Sequence, residues 1–267
     1  MIIVFDVGNS ETTIGVFANG DGADTPALAA HWRLTTNASH TSDELGLVLD
    51  GLLRTLDDGA AAIHGGAIAS VVPPVTAPLV EACTRWLGAR PVVISGRSAL
   101  PIRLQVDEPL TVGADRIVNT LAASRMYGVD TIVVDLGTAT TYDCITADAV
   151  FLGGIIAPGL GISASTLVRR TSQLPATELV APAHAIGKRT DDCIRSGVMF
   201  GTADAIDGLV RRIKREWPTD IVPKVVATGG FAEVIAPLCE EIDEVEPYLT
   251  LHGLRMAYEI LRESPGT

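Results

Sequence analysis

Short apolar runs alternate with amphipathic stretches along the whole chain. The run IIVF (2–5) ends in DVGNSETT (6–13) and resumes as TIGVFA (13–18), the pattern of two strands joined by a tight polar turn. From 41 to 56, TSDELGLVLDGLLRTL opens on a capping box, with Thr41 or Ser42 at the cap and Glu44 close behind. Leu45, Val48, Leu49, Leu52 and Leu56 then recur at helical spacing. AIASVV (67–72) reads as a buried strand stopped by Pro73 and Pro74, followed by a helix reaching Trp86, and PVVIS (91–95) reads as a further strand. After GADR (113–116), a helix beginning near Ile117 runs to a closing Gly128. TIVVDLG and TATTYDCIT, together 131–146, form a second strand pair. Helices are expected at 163–174 and 191–217, a strand at KVVATGG (224–230), and an amphipathic terminal helix at 249–263. Strands alternating with crossover helices predict an α/β protein with parallel pairing.

One phrase occurs twice. DVGNSETT follows IIVF, and DLGTATTYD (135–143) follows TIVV, so that Asp6 corresponds to Asp135, Gly8 to Gly137 and Thr12 to Thr141. The repeat predicts two similarly built lobes, 1–112 and 113–267, with the terminal helix packing back on the first. Both copies keep an aspartate at the strand end, where a turn by itself accepts Asn, Ser or Gly. Each turn offers glycine for close backbone approach, together with hydroxyls and amides that donate to phosphate oxygens. Two such turns facing each other would grip a triphosphate. The carboxylates of Asp6 and Asp135 would then repel the phosphates unless a cation intervened, and Mg²⁺ is normally held by one or two carboxylates plus phosphates. The doubled phrase therefore predicts a metal–nucleotide cleft between the lobes.

Composition narrows the chemistry. Only Lys188, Lys214 and Lys224 occur, which removes a Walker A loop throughout and the lysine strand of a protein kinase from the first two-thirds of the chain. No G-x-G-x-x-G follows a strand, so a Rossmann dinucleotide site is not expected. Cys83, Cys144, Cys193 and Cys239 form no metal-ligand spacing and are assigned no role. The net charge of −12 opposes electrostatic capture of nucleic acid, and the basic cluster 211–216 reads as a solvated helix face. With neither a membrane-length apolar run nor a signal-peptide pattern at the N-terminus, a cytoplasmic protein is expected.

Two further fragments complete the candidate site. ATGGFA (227–232) ends a strand in Gly229 and Gly230, which can lie flat against an adenine or ribose. Within GADR, Asp115 reads either as a simple N-cap or as the acceptor of a proton from an alcohol attacking a γ-phosphate. Arg116 would orient a substrate carboxylate or stabilise the transferred phosphoryl group.

Taken together, DVGNSETTIG, WRLTT (32–36), SVVP (70–73), VGADR (112–116), DLGTATTYD, GGIIAPG (153–159), IGKRT (186–190), SGVMFG (196–201), TGG (228–230) and LTLHGL (249–254) resemble the type III pantothenate kinases over nearly the whole chain. That family belongs to the actin/hexokinase/Hsp70-like ATPase superfamily. The resemblance implies two duplicated ribonuclease H-like lobes with an interlobe nucleotide cleft, and ATP-dependent phosphorylation of the primary alcohol of pantothenate, the first step of coenzyme A synthesis. It makes Asp115 the proton acceptor. Asp6, Val7, Gly8, Asn9, Ser10, Glu11, Thr12 and Thr13 become the first phosphate loop, with Asp6 near Mg²⁺, and Thr138, Gly229 and Gly230 further ATP contacts. Asp135 would help hold a monovalent cation, K⁺ or NH₄⁺. Gly113, Ala114, Asp115, Arg116 and Thr190 would line the pantothenate pocket, and a homodimer is implied. One position departs from the family pattern: Val106 stands where a tyrosine is common in that pocket, which removes a hydroxyl from its wall. Two other readings of the motifs are a non-catalytic transcriptional accessory relative, and another small-alcohol kinase or a phosphohydrolase.

Overall fold

In the computed structural model, which describes residues 1–18, 26–56 and 62–263, each copy of the repeated phrase opens a β-sheet. The first copy spans β1 (Ile2–Val7) and β2 (Glu11–Phe17), the second β7 (Thr131–Leu136) and β8 (Ala139–Ile145). Between them lie β3 (Leu28–Thr35), α1 (Ser42–Leu53), β4 (Gly65–Ser70), α2 (Pro73–Trp86), β5 (Val92–Val93), β6 (Arg103–Leu104) and α3 (Ala114–Tyr127). The rest comprises β9 (Val150–Pro158), α4 (Leu160–Arg170), α5 (Thr190–Glu216), β10 (Lys224–Thr228), α6 (Ala232–Ile235), β11 (Glu244–Val245) and α7 (Leu249–Glu263).

The two sheets share one topology. The first has the order β3-β2-β1-β4-β5; the second has β9-β8-β7-β10-β11 with β6 added outside β9. In both, the first three strands are antiparallel and the crossover strand pairs parallel with the central one. The likeness extends to single residues, since β1 and β7 bury their six positions in the same order, and so do β2 and β8 over seven. Only a repeated side-chain environment keeps such a match, because one residue of slip would reverse every face.

The threonine correspondence expected from a constant offset is off by one. Asp6 pairs with Thr13 and Val7 with Thr12, whereas Asp135 pairs with Thr141 and Leu136 with Thr140. Thr12 therefore corresponds to Thr140, and Thr13 to Thr141. The turns explain it: the Gly8 N–H reaches the Glu11 carbonyl at 2.9 Å, while the Gly137 N–H reaches the carbonyl of Ala139, one residue sooner in the chain, at 3.1 Å.

Compact packing divides the chain into one unit of 1–102, 107–122 and 250–267 and another of 103–106 and 123–249. Residues 113–122 thus group with the first unit, where a cut after residue 112 places them in the second. In the first unit, Ile3, Phe5, Val7, Ile14 and Val16 form one sheet face, covered by Leu45, Leu49 and Leu53 of α1 and Val75, Leu79 and Cys83 of α2. Thr41 closes α1 with the expected capping box, its Oγ1 accepting from the Glu44 N–H while a Glu44 carboxylate oxygen accepts from the Thr41 N–H. On α7, Leu251 meets Gly15 and Tyr258 meets Gly65; a Cβ on either glycine would collide with these side chains. In the second unit, Ile132, Val134 and Leu136 pack against Ile194, Val198, Ile206 and Val210 of α5.

Three expected boundaries move. α3 begins at Ala114 rather than near Ile117, with the Ile117 N–H already donating to the Gly113 carbonyl at 3.2 Å. α4 starts three residues earlier than expected and ends at Arg170, four residues short of the expected end. Only Val92 and Val93 of the 91–95 run pair as strand. The third strand of each sheet was not expected, although β3 sets Leu28, Ala30, Trp32 and Leu34 at half-buried positions and Ala29, His31, Arg33 and Thr35 at exposed ones, an alternation its residue types carry.

Asp130 ties the start of β7 to two distant segments. It is buried and accepts from the Ala147 N–H and from the Trp217 indole N–H, both at 2.8 Å. Replacing it by alanine leaves two donors unpaired, so Asp130→Ala is expected to destabilise the second unit by roughly 2–5 kcal/mol, read as a lower urea midpoint. No helix among the described residues is long and apolar enough to cross a membrane.

Candidate active site

In the first unit the polar turn after β1 is held from outside. The Thr36 hydroxyl donates to the Gly8 carbonyl at 2.7 Å and lies 2.8 Å from the Thr12 hydroxyl, while the Thr36 N–H donates to the Ser10 carbonyl at 3.0 Å. Glu11 is engaged by Arg33 of β3, whose Nη2 lies 2.8 Å from Oε2. Thr36 and Arg33 both belong to the WRLTT stretch, so β3 supplies the brace that fixes the turn. Motif reading quoted that stretch without giving it a role. Its signal is faint, since the residues act through the strand pairing that places them.

The GADR segment reaches the same end of the same sheet. The Val71 N–H, just past β4, donates to the Val7 carbonyl at 3.1 Å, and the Val71 side chain lies 3.6 Å from where a Cβ on Gly113 would stand. Val71 therefore bridges the first phosphate turn to the start of α3. Asp115 lies inside the first turn of that helix, not ahead of it, so the simple N-cap reading fails. The Arg116 N–H donates to Asp115 Oδ1 at 2.9 Å and orients the carboxylate. A Cβ on Gly113 would meet that same oxygen, so a side chain there would push the carboxylate aside. Ala114 is buried, and Asp115 and Arg116 are partly exposed.

In the second unit, Asp135 and Thr138 stand at the end of β7. Because β10 runs parallel to β7 with Thr228 beside Asp135, the paired glycines arrive next to this turn. The Phe231 N–H donates to the Leu136 carbonyl at 3.1 Å and locks the two together. Gly229 has φ +89°, and a Cβ there would meet Asp135 Oδ1 and the Leu136 backbone. Gly159, last residue of GGIIAPG, lies so close to the carbonyls of Gly137 and Thr138 that any side chain would displace them. Asp135, Thr138, Gly229 and Gly230 thus form one glycine-lined cradle, with Gly159 as a member that was quoted only as part of a motif.

Thr190 is the first residue of α5 and lines a cavity of 680 Å³ beneath α4 and α5, with Thr140, Ser163 and Leu167 among its walls. Tyr142 also lines it, and burial pushes its phenol above the usual range. Val106 is not among the residues lining that cavity; it follows β6 and stands beside Gly153, 3.7 Å from where a Cβ would be. Among the described residues no group of three or more His, Cys, Asp or Glu side chains is arranged to hold a metal by itself.

A family model for type III pantothenate kinase matches residues 2–212. A type III pantothenate kinase of Roseiflexus sp. (strain RS-1) is 44% identical over 98% of this chain and 100% of its own length. One from Geobacillus kaustophilus (strain HTA426) is 40% identical with both chains fully covered. Among solved structures, a Campylobacter jejuni protein assigned to the Baf family of transcriptional activators superposes with a TM-score of 0.59 at 16% identity, covering 98% of this chain and all of its own. The ethanolamine utilization protein EutJ of Carboxydothermus hydrogenoformans gives 0.54 at 12% identity, covering 95% of this chain and 88% of its own. At these identities the two structures speak for the fold alone, a mixed α/β chain of the actin-like ATPase kind with two sheets. The family match and the full-length relatives together establish that this chain belongs to the type III pantothenate kinase family.

Proposed function

We propose that the protein transfers the γ-phosphoryl group of ATP to the primary alcohol of pantothenate, giving 4'-phosphopantothenate and ADP, in the cytoplasm. The observation that carries this reading is the full-length identity to type III pantothenate kinases, combined with an oriented carboxylate, Asp115, beside the first phosphate turn.

Asp115 takes the alcohol proton as the oxygen attacks the γ-phosphorus, and the bond from that phosphorus to the β-bridging oxygen breaks to release ADP. The turn of Asp6, Val7, Gly8, Asn9, Ser10, Glu11, Thr12 and Thr13 presents amides and hydroxyls to ATP phosphates, and Thr138, Gly229 and Gly230 make further ATP contacts. Arg116 orients the pantothenate carboxylate, with Gly113, Ala114, Val106 and Thr190 as further wall. Bound Mg²⁺ would neutralise phosphate charge; Asp6 fits it as a single carboxylate ligand, the rest coming from phosphates and water. A monovalent cation, K⁺ or NH₄⁺, fits the oxygen-rich cradle at Asp135, where the missing Cβ of Gly229 leaves the carboxylate room. A homodimer is part of the same reading, and Ile156, Ile162 and Leu167 are apolar side chains exposed for it in the second unit.

ADP release measured with and without pantothenate, in K⁺ and in Na⁺ buffers containing Mg²⁺, tests the reading. Pantothenate-dependent release that is faster in K⁺ is expected. Its absence in both buffers would overturn the proposal.

A further inference from the structure

A second cavity lies wholly within the first unit, between the sheet and helices α1 and α2. Its volume is 260 Å³. Ile14, Val48, Leu49 and Val75 contribute apolar wall, while Thr12, Thr36, Asn37 and His40 supply the polar lining. An engineered apolar cavity of about 150 Å³ holds benzene, so this space takes a molecule of about ten heavy atoms.

The Thr12 hydroxyl in this lining has a definite polarity. A hydroxyl has one proton, and Thr36 donates its own to the Gly8 carbonyl. The Thr12–Thr36 hydrogen bond must then be donated by Thr12. Thr12 Oγ1 is left with lone pairs and no proton to offer, which makes it an acceptor. An occupant that satisfies it carries an O–H or N–H donor on an otherwise apolar body. The same two hydroxyls hold the turn at Gly8, so whatever binds here bears on that turn.

We propose that this cavity is a binding site for small apolar molecules bearing one hydroxyl or amide donor, and that its occupancy is felt at the turn formed by residues 8–12. The site shares Thr12 with the proposed first phosphate loop and uses none of the other substrate positions assigned above. Its detection uses no turnover, so failure of the kinase reading would leave it standing, and its own failure would leave the kinase reading intact.

Benzyl alcohol and anisole are isomers of equal size, of which only the first donates a hydrogen bond. Each is titrated into the full chain while methyl and amide NMR signals are followed. Benzyl alcohol is expected to shift the methyls of Ile14, Leu49 and Val75 and the amides of Gly8 and Thr12 along one saturating curve. Anisole is expected to bind about three- to tenfold more weakly, the effect of one lost hydrogen bond. Val48→Phe, which fills the space from α1, is expected to abolish both titrations. Shifts that do not saturate, equal affinity for the two isomers, or unchanged binding in a folded Val48→Phe chain would each overturn the proposal. Should that variant not fold, intermolecular NOEs from benzyl alcohol to Leu49 and Val75 in the unaltered chain decide the matter: their presence supports the site and their absence removes it.

Discussion

Asp115→Asn is expected to keep the fold and the affinity for ATP while lowering the turnover of pantothenate by about 10²–10⁴-fold, the usual contribution of a positioned general base. The substitution is chosen for its geometry. Asparagine retains Oδ1, so the hydrogen bond from the Arg116 N–H survives and the side chain stays in place. What disappears is the capacity to take a proton. Asp115→Ala should lose as much turnover, and it also removes the contact that orients the start of α3. Thermal unfolding within a few degrees of the parent, together with an unchanged KM for ATP, would separate lost chemistry from lost structure. Full turnover in Asp115→Asn would take the residue out of its proposed role.

The second large effect is expected from Gly229→Ala. The backbone at this glycine has φ +89°, a conformation that side chains other than glycine adopt at a cost of about 1–3 kcal/mol. The added methyl would also press on Asp135 Oδ1 and on the Leu136 backbone. Both strains fall on the cradle proposed to serve ATP and a monovalent cation. The variant should therefore raise the KM for ATP by about tenfold or more, roughly 1.4 kcal/mol of binding, and weaken activation by K⁺. Gly208→Ala provides the contrast: it lies within α5 with open space around it, so the methyl meets nothing and improves helix propensity by about 0.5–1 kcal/mol. A Gly229→Ala chain with unaltered ATP and K⁺ dependence would show that the cradle does not hold them.

How far the site was legible differs from residue to residue. Asp6, Asp135 and the glycines beside them stood out because a duplicated phrase is visible without any contact information. Asp115 was visible as a candidate, but whether it capped a helix or lay within one depended on where α3 starts. Thr36 and Val71 were not legible as site residues at all. Each acts on a segment far from it in sequence, Thr36 on the turn at Gly8 and Val71 between Val7 and Gly113. Gly159 belongs with them, since its value lies in the backbone that approaches it.

The one-residue error in matching Thr12 to Thr141 has the same origin. A constant offset assumes turns of equal length, and only the pairing register reveals that the second turn is shorter. The missed strands β3 and β9 show another limit. Each lies outside the β1–β2 or β7–β8 hairpin and gains its place by pairing with an existing neighbour; β3 carries a period-two alternation that marks a strand, whereas β9, interrupted by Gly153 and Gly154, does not.

By itself, then, the sequence determined the α/β class, the duplication, the helices with strong periodicity or caps, and the kinase family. These rest on local patterns and on motifs contiguous in the chain. Tertiary structure alone decided which strands flank each hairpin, the register of the repeat, the grouping of residues 113–122 with the first unit, and the braces that hold the turns. Those depend on hydrogen bonds and close approaches between segments distant in sequence, and no local pattern encodes such partners.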